Sequence, residues 1–290
     1  MVCRETELVG EVAREVKEAV AAAVSQLNTC PYCVDAHTIM LCAAGNRSTA
    51  NAICNARYND IADPKIRAIV NWALATNSPK SEALRWRPFS PQEAPEIIGT
   101  AVYYHYMNRM ASVLLGDTPL PSNRRWLKGS LKRAASLMFS SAVHRRKKAG
   151  DSLQFLPKAD LPPDLHWAKA TPAVAQAYAR FAVTVHEVGS HALPAVVRET
   201  VQEEVNEWDG ETSELDLAWI EDAISSFDEA TQAAARLALL TALAPGKPNG
   251  ATVLAFTKHF PEDEKLVGAL SWASFAAASR IGTWLYAQRT

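Results

Sequence analysis

Apolar residues recur at Leu8, Val12, Val16, Val20, Val24 and Leu27, the three- and four-residue spacing that lines up one stripe of a helix over 8–28. Asn28-Thr29 interrupts the stripe. Pro31 then stands where a first helical turn tolerates proline, since an N–H there has no intrahelical acceptor anyway. A second helix is expected from Thr29 or Cys30 to Ala44, with Gly45-Asn46 as its stop. The same periodicity predicts helices over about 48–58, 63–76, 91–115 and 123–147. After a turn-rich stretch at 150–165, holding Gly150, Pro157 and Pro162-Pro163, it predicts six more: about 172–189, 194–207, 215–225, 228–243, 249–258 and 262–287. The one hairpin-type dipeptide noted, Asn249-Gly250, has helical patterns on both sides. The expected fold class is all-α.

The order of patterns recurs. Phe89-Ser-Pro-Gln-Glu stands twenty residues before Arg109, and Phe260-Pro-Glu-Asp-Glu stands twenty before Arg280. Upstream, Arg67 through Leu74 to Pro79 parallels Ala234 through Leu240 to Pro245, and Val16-Lys17-Glu18 parallels Val197-Arg198-Glu199. A duplicated helical unit is the reading: a first unit over 1–149, a connecting segment over 150–170 and a divergent second unit over 171–290. The second copy keeps Glu199 but places Glu211, Glu214 and Ala218 where the first has cysteines and histidine, so it is expected to lack the first unit's chemistry.

Charge narrows the partners. The formal net charge is -1, which offers no overall field for nucleic acid. The basic stretch Arg124-Arg125, Lys128, Lys132-Arg133 and Arg145 to Lys148 reads as a solvated helix face and loop. No run approaches the ~20 apolar residues a bilayer span needs. Glu5, Glu7, Glu11, Glu15 and Glu18 make the start too acidic for an export signal. Five cysteines (3, 30, 33, 42 and 54) without such a signal point to a reducing, cytoplasmic setting, where Cys-x-x-Cys serves redox or metal chemistry more often than it staples.

The chemistry is expected at Glu18, then eleven residues, then Cys30-Pro31-Tyr32-Cys33-Val34-Asp35-Ala36-His37. On a helix Cys30, Cys33 and His37 are three and four residues apart and share a face. A helix N-terminus favours thiolate, the reactive form of cysteine. His37 can move a proton near neutral pH, and Glu18 could orient its ring. Zinc is the rival, but it would need a fourth ligand and usually a second close pair, absent nearby. No metal is therefore expected. Cys42 and Cys54 read as small core hydrophobes, Cys3 carries no role, and His105 reads as a satisfied core histidine or a pocket wall.

The Glu-x11-Cys-x2-Cys-x3-His pattern, with Gln26-Leu27-Asn28 before it, resembles the alkylhydroperoxidase AhpD-like branch of the carboxymuconolactone decarboxylase family. The helix with Tyr104-His105-Tyr106-Met107-Asn108-Arg109 is similar to the family helix that closes the site. The resemblance covers roughly 10–115, and the second half looks like a divergent copy. It implies an AhpD-like, all-helical bundle and a thiol-dependent, peroxiredoxin-type reduction of hydroperoxides. Cys33 would be attacked first, Cys30 would resolve to a disulfide, and Glu18 and His37 would form a proton relay. It also implies no bound organic cofactor, a thiol or dihydrolipoyl-type reductant and a homo-oligomer. Tyr32 departs from relatives with histidine there. Helix-end placement on its own favours Cys30 as the lower-pKa, more exposed thiol, so the order stays open. Seventeen residues precede Glu18 where relatives carry further helices, so the second half or a partner chain is expected to cover the site. Two readings compete with the peroxidase: a general disulfide oxidoreductase and a non-enzymatic redox sensor built on the same pair. Lactone decarboxylation would leave the thiols without a task.

Overall fold

A computed structural model describes residues 1–115, 118–120, 125–145, 147–210 and 217–287, without the side chains of 125–128 and 142. Among the described residues there is no strand, as the missing alternation predicts. The helices are α1 (Arg14–Leu27), α2 (Pro31–Ala43), α3 (Arg47–Cys54), α4 (Pro64–Ala73), α5 (Ala94–Leu114) and α6 (Arg125–Val143). After the connection come α7 (Pro172–Ala192), α8 (Ala195–Glu207), α9 (Ala218–Ile224), α10 (Glu229–Leu243), α11 (Gly250–His259) and α12 (Asp263–Ala287).

The periodicity places each of these, with one correction at the front. The stripe from Leu8 predicts one helix over 8–28, but α1 begins at Arg14, after a short π-helical turn at Arg4–Leu8. Gly10 makes the break. Its φ is +102°, where an L side chain is strained, and a Cβ there would stand 2.3 Å from the Glu96 carboxyl. That carboxylate accepts from the backbone N–H groups of Glu11 and Val12 and pairs with buried Lys17 at 2.5 Å, holding the first turn against α5. Other ends follow ordinary capping: Asp63 and Asp228 accept from the first N–H groups of α4 and α10.

α1 is the centre of the first half. Ala19 to Val24 are completely buried, because alanine lets neighbouring helices come close on every side. This stretch is thus covered within one chain. α5 and α12, the two helices that follow the repeated Phe…Glu signal, pack along each other. Tyr106 and Ser271 hydrogen-bond across that contact at 3.0 Å, and Trp284 Nε1 donates to the Thr76 carbonyl at 2.8 Å. One apolar core therefore runs through both halves. No described helix is long and apolar enough to cross a membrane.

Candidate active site

The site is built where α1 ends and α2 begins. Thr29 takes φ +52° to turn the chain, Cys30 is the N-cap of α2 in extended conformation, and Pro31 opens the helix as expected. Cys33 lies one turn in, and the two sulfurs are 2.7 Å apart, both free. Both are buried, Cys30 at 2% exposure and Cys33 at 7%, against Ala111 with Tyr32 packed over them. Helix-end placement thus does not make Cys30 the more exposed thiol. The Cys30 thiol is lowered, but first by the hydrogen bond it shares with Cys33, against burial. The same hydrogen bond, with burial, pushes Cys33 far up.

Glu18 and His37, nineteen residues apart, meet as the spacing predicts, with His37 Nδ1 2.9 Å from Glu18 Oε2. Arg14, one turn before Glu18, donates to its other oxygen through Nε at 2.7 Å and stands 3.0 Å from Glu7 as well. Tyr104 on α5 donates to Glu7 at 2.5 Å and packs its ring edge on His37, centroids 4.2 Å apart. Burial, then the charge of Glu7, push the Glu18 carboxyl up to about 7, against the pull of His37 and Arg14. Burial disfavours the His37 imidazolium, yet the Glu18 hydrogen bond and charge outweigh it and raise His37 overall. Burial would also raise Glu7, but Arg14, His37 and the Tyr104 hydroxyl hold it below the usual carboxylate range.

Behind the thiols lies a neutral hydrogen-bonded net. Asn28 donates to Asn108 at 2.9 Å, Asn108 donates to Ser25 at 3.1 Å, and Asn28 is 3.1 Å from His105 Nδ1. Thr76 completes His105 at 2.7 Å. Burial, then Arg109, keep His105 well below its usual pKa and uncharged. It is the satisfied core histidine. A cavity of about 430 Å³ opens beyond this net between the halves, with Thr29, Arg109, Trp208 and Leu243 in its wall.

Three expectations change. Lys132 is not a solvated-face charge: it reaches Asp35 at 2.7 Å, Thr38 at 3.3 Å and Cys54 at 3.2 Å. Cys54 is accordingly a polar contact, half-buried and also 3.6 Å from the Thr38 hydroxyl, rather than a plain core hydrophobe. Cys3, given no role, donates to Glu7 at 3.2 Å, and burial raises its thiol. Arg124 and Arg146 of the basic stretch, with Glu211 and Glu214 of the second copy, lie outside the described residues. Among the described residues, the one cluster with metal-ligand proximity is Glu7, Glu18 and His37, within 4.8 Å; the thiols are not part of it. Arg14 already supplies a cation to both carboxylates, so a metal would have to displace it.

Residues 4–75 match the model of the carboxymuconolactone decarboxylase family. A Mycobacterium tuberculosis protein named alkyl hydroperoxide reductase is 40% identical over 282 residues, covering 97% of this chain and 80% of that protein. The chain belongs to the carboxymuconolactone decarboxylase family. The family segment contains both thiols, His37, Glu18, Arg14 and Glu7. Tyr104 and Asn108 come from outside it, on α5, so the site needs more of the chain than the family segment. Glu7 and Arg14 escape the sequence reading, whereas Asn28 and Tyr104 enter it only as part of the resemblance, with no contact assigned. The only trace of Glu7 there is its place in an acidic run that argued against export.

Proposed function

We propose that this protein is an oxidoreductase that reduces organic hydroperoxides through a Cys30/Cys33 dithiol–disulfide cycle, with Glu18 and His37 as the proton relay. The observation that carries it is the buried thiol pair, sulfurs 2.7 Å apart, beside the Glu18–His37 carboxylate–imidazole pair. The alkyl hydroperoxide reductase name of the 40% identical relative supports the substrate class. The duplicated unit over 171–290 stays part of the reading, supported by α5 and α12 following the same signal.

The lowered Cys30 thiol favours Cys30 as the attacking sulfur, opposite to the order the family resemblance implies. The thiolate bonds to one peroxide oxygen, the O–O bond breaks, and the departing alkoxide takes a proton. The thiol of the other cysteine then displaces water from the sulfenic acid and forms the disulfide. In sum, one thiolate, one thiol, ROOH and one proton give the disulfide, ROH and water, with two electrons passing from sulfur to oxygen. A dithiol reductant restores the pair and returns the proton. His37, bound through Nδ1 to Glu18, has Nε2 left to serve the reacting atoms.

The test is sulfenate trapping with cumene hydroperoxide in single-cysteine variants, beside turnover with dithiothreitol as reductant. Neither Cys30→Ser nor Cys33→Ser should turn over. Cys33→Ser should yield one trapped sulfenate at Cys30. A trapped sulfenate at Cys33 in Cys30→Ser, with none at Cys30 in the converse, reverses the order. Wild-type thiols unchanged by peroxide would refute the function. A homo-oligomer is supported by Leu137 and Met138 of α6, 76% and 77% exposed, and sedimentation at micromolar concentration tests it.

A further inference from the structure

Arg109 on α5 is a buried cation without a counter-charge. It is 2% exposed, and among the described residues no carboxylate pairs with it. Burial lowers it to about 10, which leaves it charged at neutral pH. Nε donates to the Ala242 carbonyl and Nη1 to the His105 carbonyl, each at 2.9 Å. Nη2 donates to nothing among the described residues, yet it is not one of the side-chain nitrogens sealed away without a partner. A buried charge is ordinarily paired, because stripping an ion of water is costly. Arg109 borders the cavity of about 430 Å³ between the halves. Its guanidinium end stands at that wall: Cζ lies 5.8 Å from the centroid of the Trp208 ring, and Trp208, Leu243 and Ala244 line the same space just after Ala242 takes the Nε hydrogen bond.

We propose that this cavity takes the carboxylate of a hydroperoxy fatty acid, with Arg109 as the binding residue and the chain running along the wall toward Thr29. The inference rests on the peroxidase reading given above and names its substrate class. A guanidinium fork matches a planar carboxylate, and the Nη2 edge is the part of Arg109 left to meet one. Leu27, Trp208, Leu243 and Pro245 give the wall an apolar side, the surface a hydrocarbon chain prefers. The volume lies in the range of ligand pockets, roughly 300–1,000 Å³. The wall also adjoins the thiol pocket in two places. Thr29, next before Cys30, lines the cavity. Pro245 lines it too and accepts at 2.7 Å from Ser112, the neighbour of Ala111, which packs against both sulfurs. An acid anchored at Arg109 thus lies beside the segment that carries the first thiol.

The test compares a hydroperoxy-octadecadienoic acid with its methyl ester, both monomeric in solution, on the full-length protein with dithiothreitol as reductant. In the wild type kcat/KM should favour the acid by about tenfold or more, the size of a charge-assisted hydrogen bond. Arg109→Gln should shrink that ratio to about threefold or less, what a neutral amide can still give. Arg109→Lys should keep part of it, because the charge stays. Calorimetric titration of the reduced wild type with octadecadienoic acid and with its methyl ester reads the same preference without any chemistry at the thiols. Acid and ester alike in the wild type, in turnover or in titration, overturn the proposal. So does a folded Arg109→Gln that slows both equally, since a merely structural arginine leaves the ratio unchanged. Should the Arg109 variants fail to fold, Gly246→Glu decides. Gly246 lines the cavity and a Cβ there meets nothing within 4 Å, so the added carboxylate stands at the wall and should cut the preference for the acid; an unchanged ratio overturns the proposal. Cumene hydroperoxide distinguishes the failures: normal turnover of it beside equal acid and ester rates sinks this inference alone, whereas no turnover of any of the three sinks the peroxidase reading with it.

Discussion

Replacing Glu18 by glutamine changes the charge of the relay while keeping its shape. Glutamine can still meet His37 and Arg14, and Arg14 keeps Glu7, so the cation remains compensated. His37 also remains clamped by the Tyr104 ring edge. What is lost is the carboxylate that raises the imidazole against burial. His37 therefore falls, and at neutral pH the acid form needed by the departing alkoxide becomes scarce. Full removal of a general acid costs roughly 10²–10⁴-fold. Because the ring stays in place, the lower end applies: about 10²-fold, or about 2.7 kcal/mol of barrier. The sign with pH is definite. Wild-type rate rises with pH as the Cys30 thiolate forms and falls once the raised His37 loses its proton. In Glu18→Gln that fall starts at lower pH, so the deficit is smallest in acid and grows through neutrality. Stopped-flow oxidation of the reduced protein by cumene hydroperoxide from pH 5 to 9 is the assay. A variant within threefold of wild type at every pH, with the same alkaline limb, would refute the relay.

Gly10→Ala should destabilise by roughly 3 kcal/mol, from the strained φ and the displaced Glu96 carboxyl with its N–H partners, lowering the melting temperature by about 5 °C or more; a melting curve matching wild type would remove Gly10 as the cause of the late helix start. Arg14→Met should leave Glu7 and Glu18 buried without their guanidinium, at a cost of about 3–5 kcal/mol. Both carboxylates would then bind protons more tightly folded than unfolded, so the loss should deepen as pH rises from 5.5 to 8; urea midpoints showing an equal loss at both pH values would contradict that.

The helices were legible because their apolar spacing is repetitive, and the Cys30, Cys33, Glu18 and His37 set because its members sit on two consecutive helices. Gly10 shows the limit: Leu8 and Val12 fit the helical stripe, and only the close approach of Glu96, eighty-odd residues away, reveals why the helix cannot begin there. Glu7 and Tyr104 are 97 residues apart and carry no common period, so only folding joins them. Lys132 belongs to a basic run whose simplest fate is solvent, and it turned inward because Asp35 waits on α2.

The hydrogen bond from Trp284 to the Thr76 carbonyl ties together residues 208 positions apart. Thr76 in turn holds His105, His105 meets Asn28, and Asn28 stands two residues before Cys30. Chain distance is therefore a poor guide to what is remote. A change in the last turns of α12 is, in effect, a change in the scaffold behind the first thiol. Trimming or loading that helix would loosen the footing of Asn28, and with it the sharp bend at Thr29 that aims Cys30 at its partner.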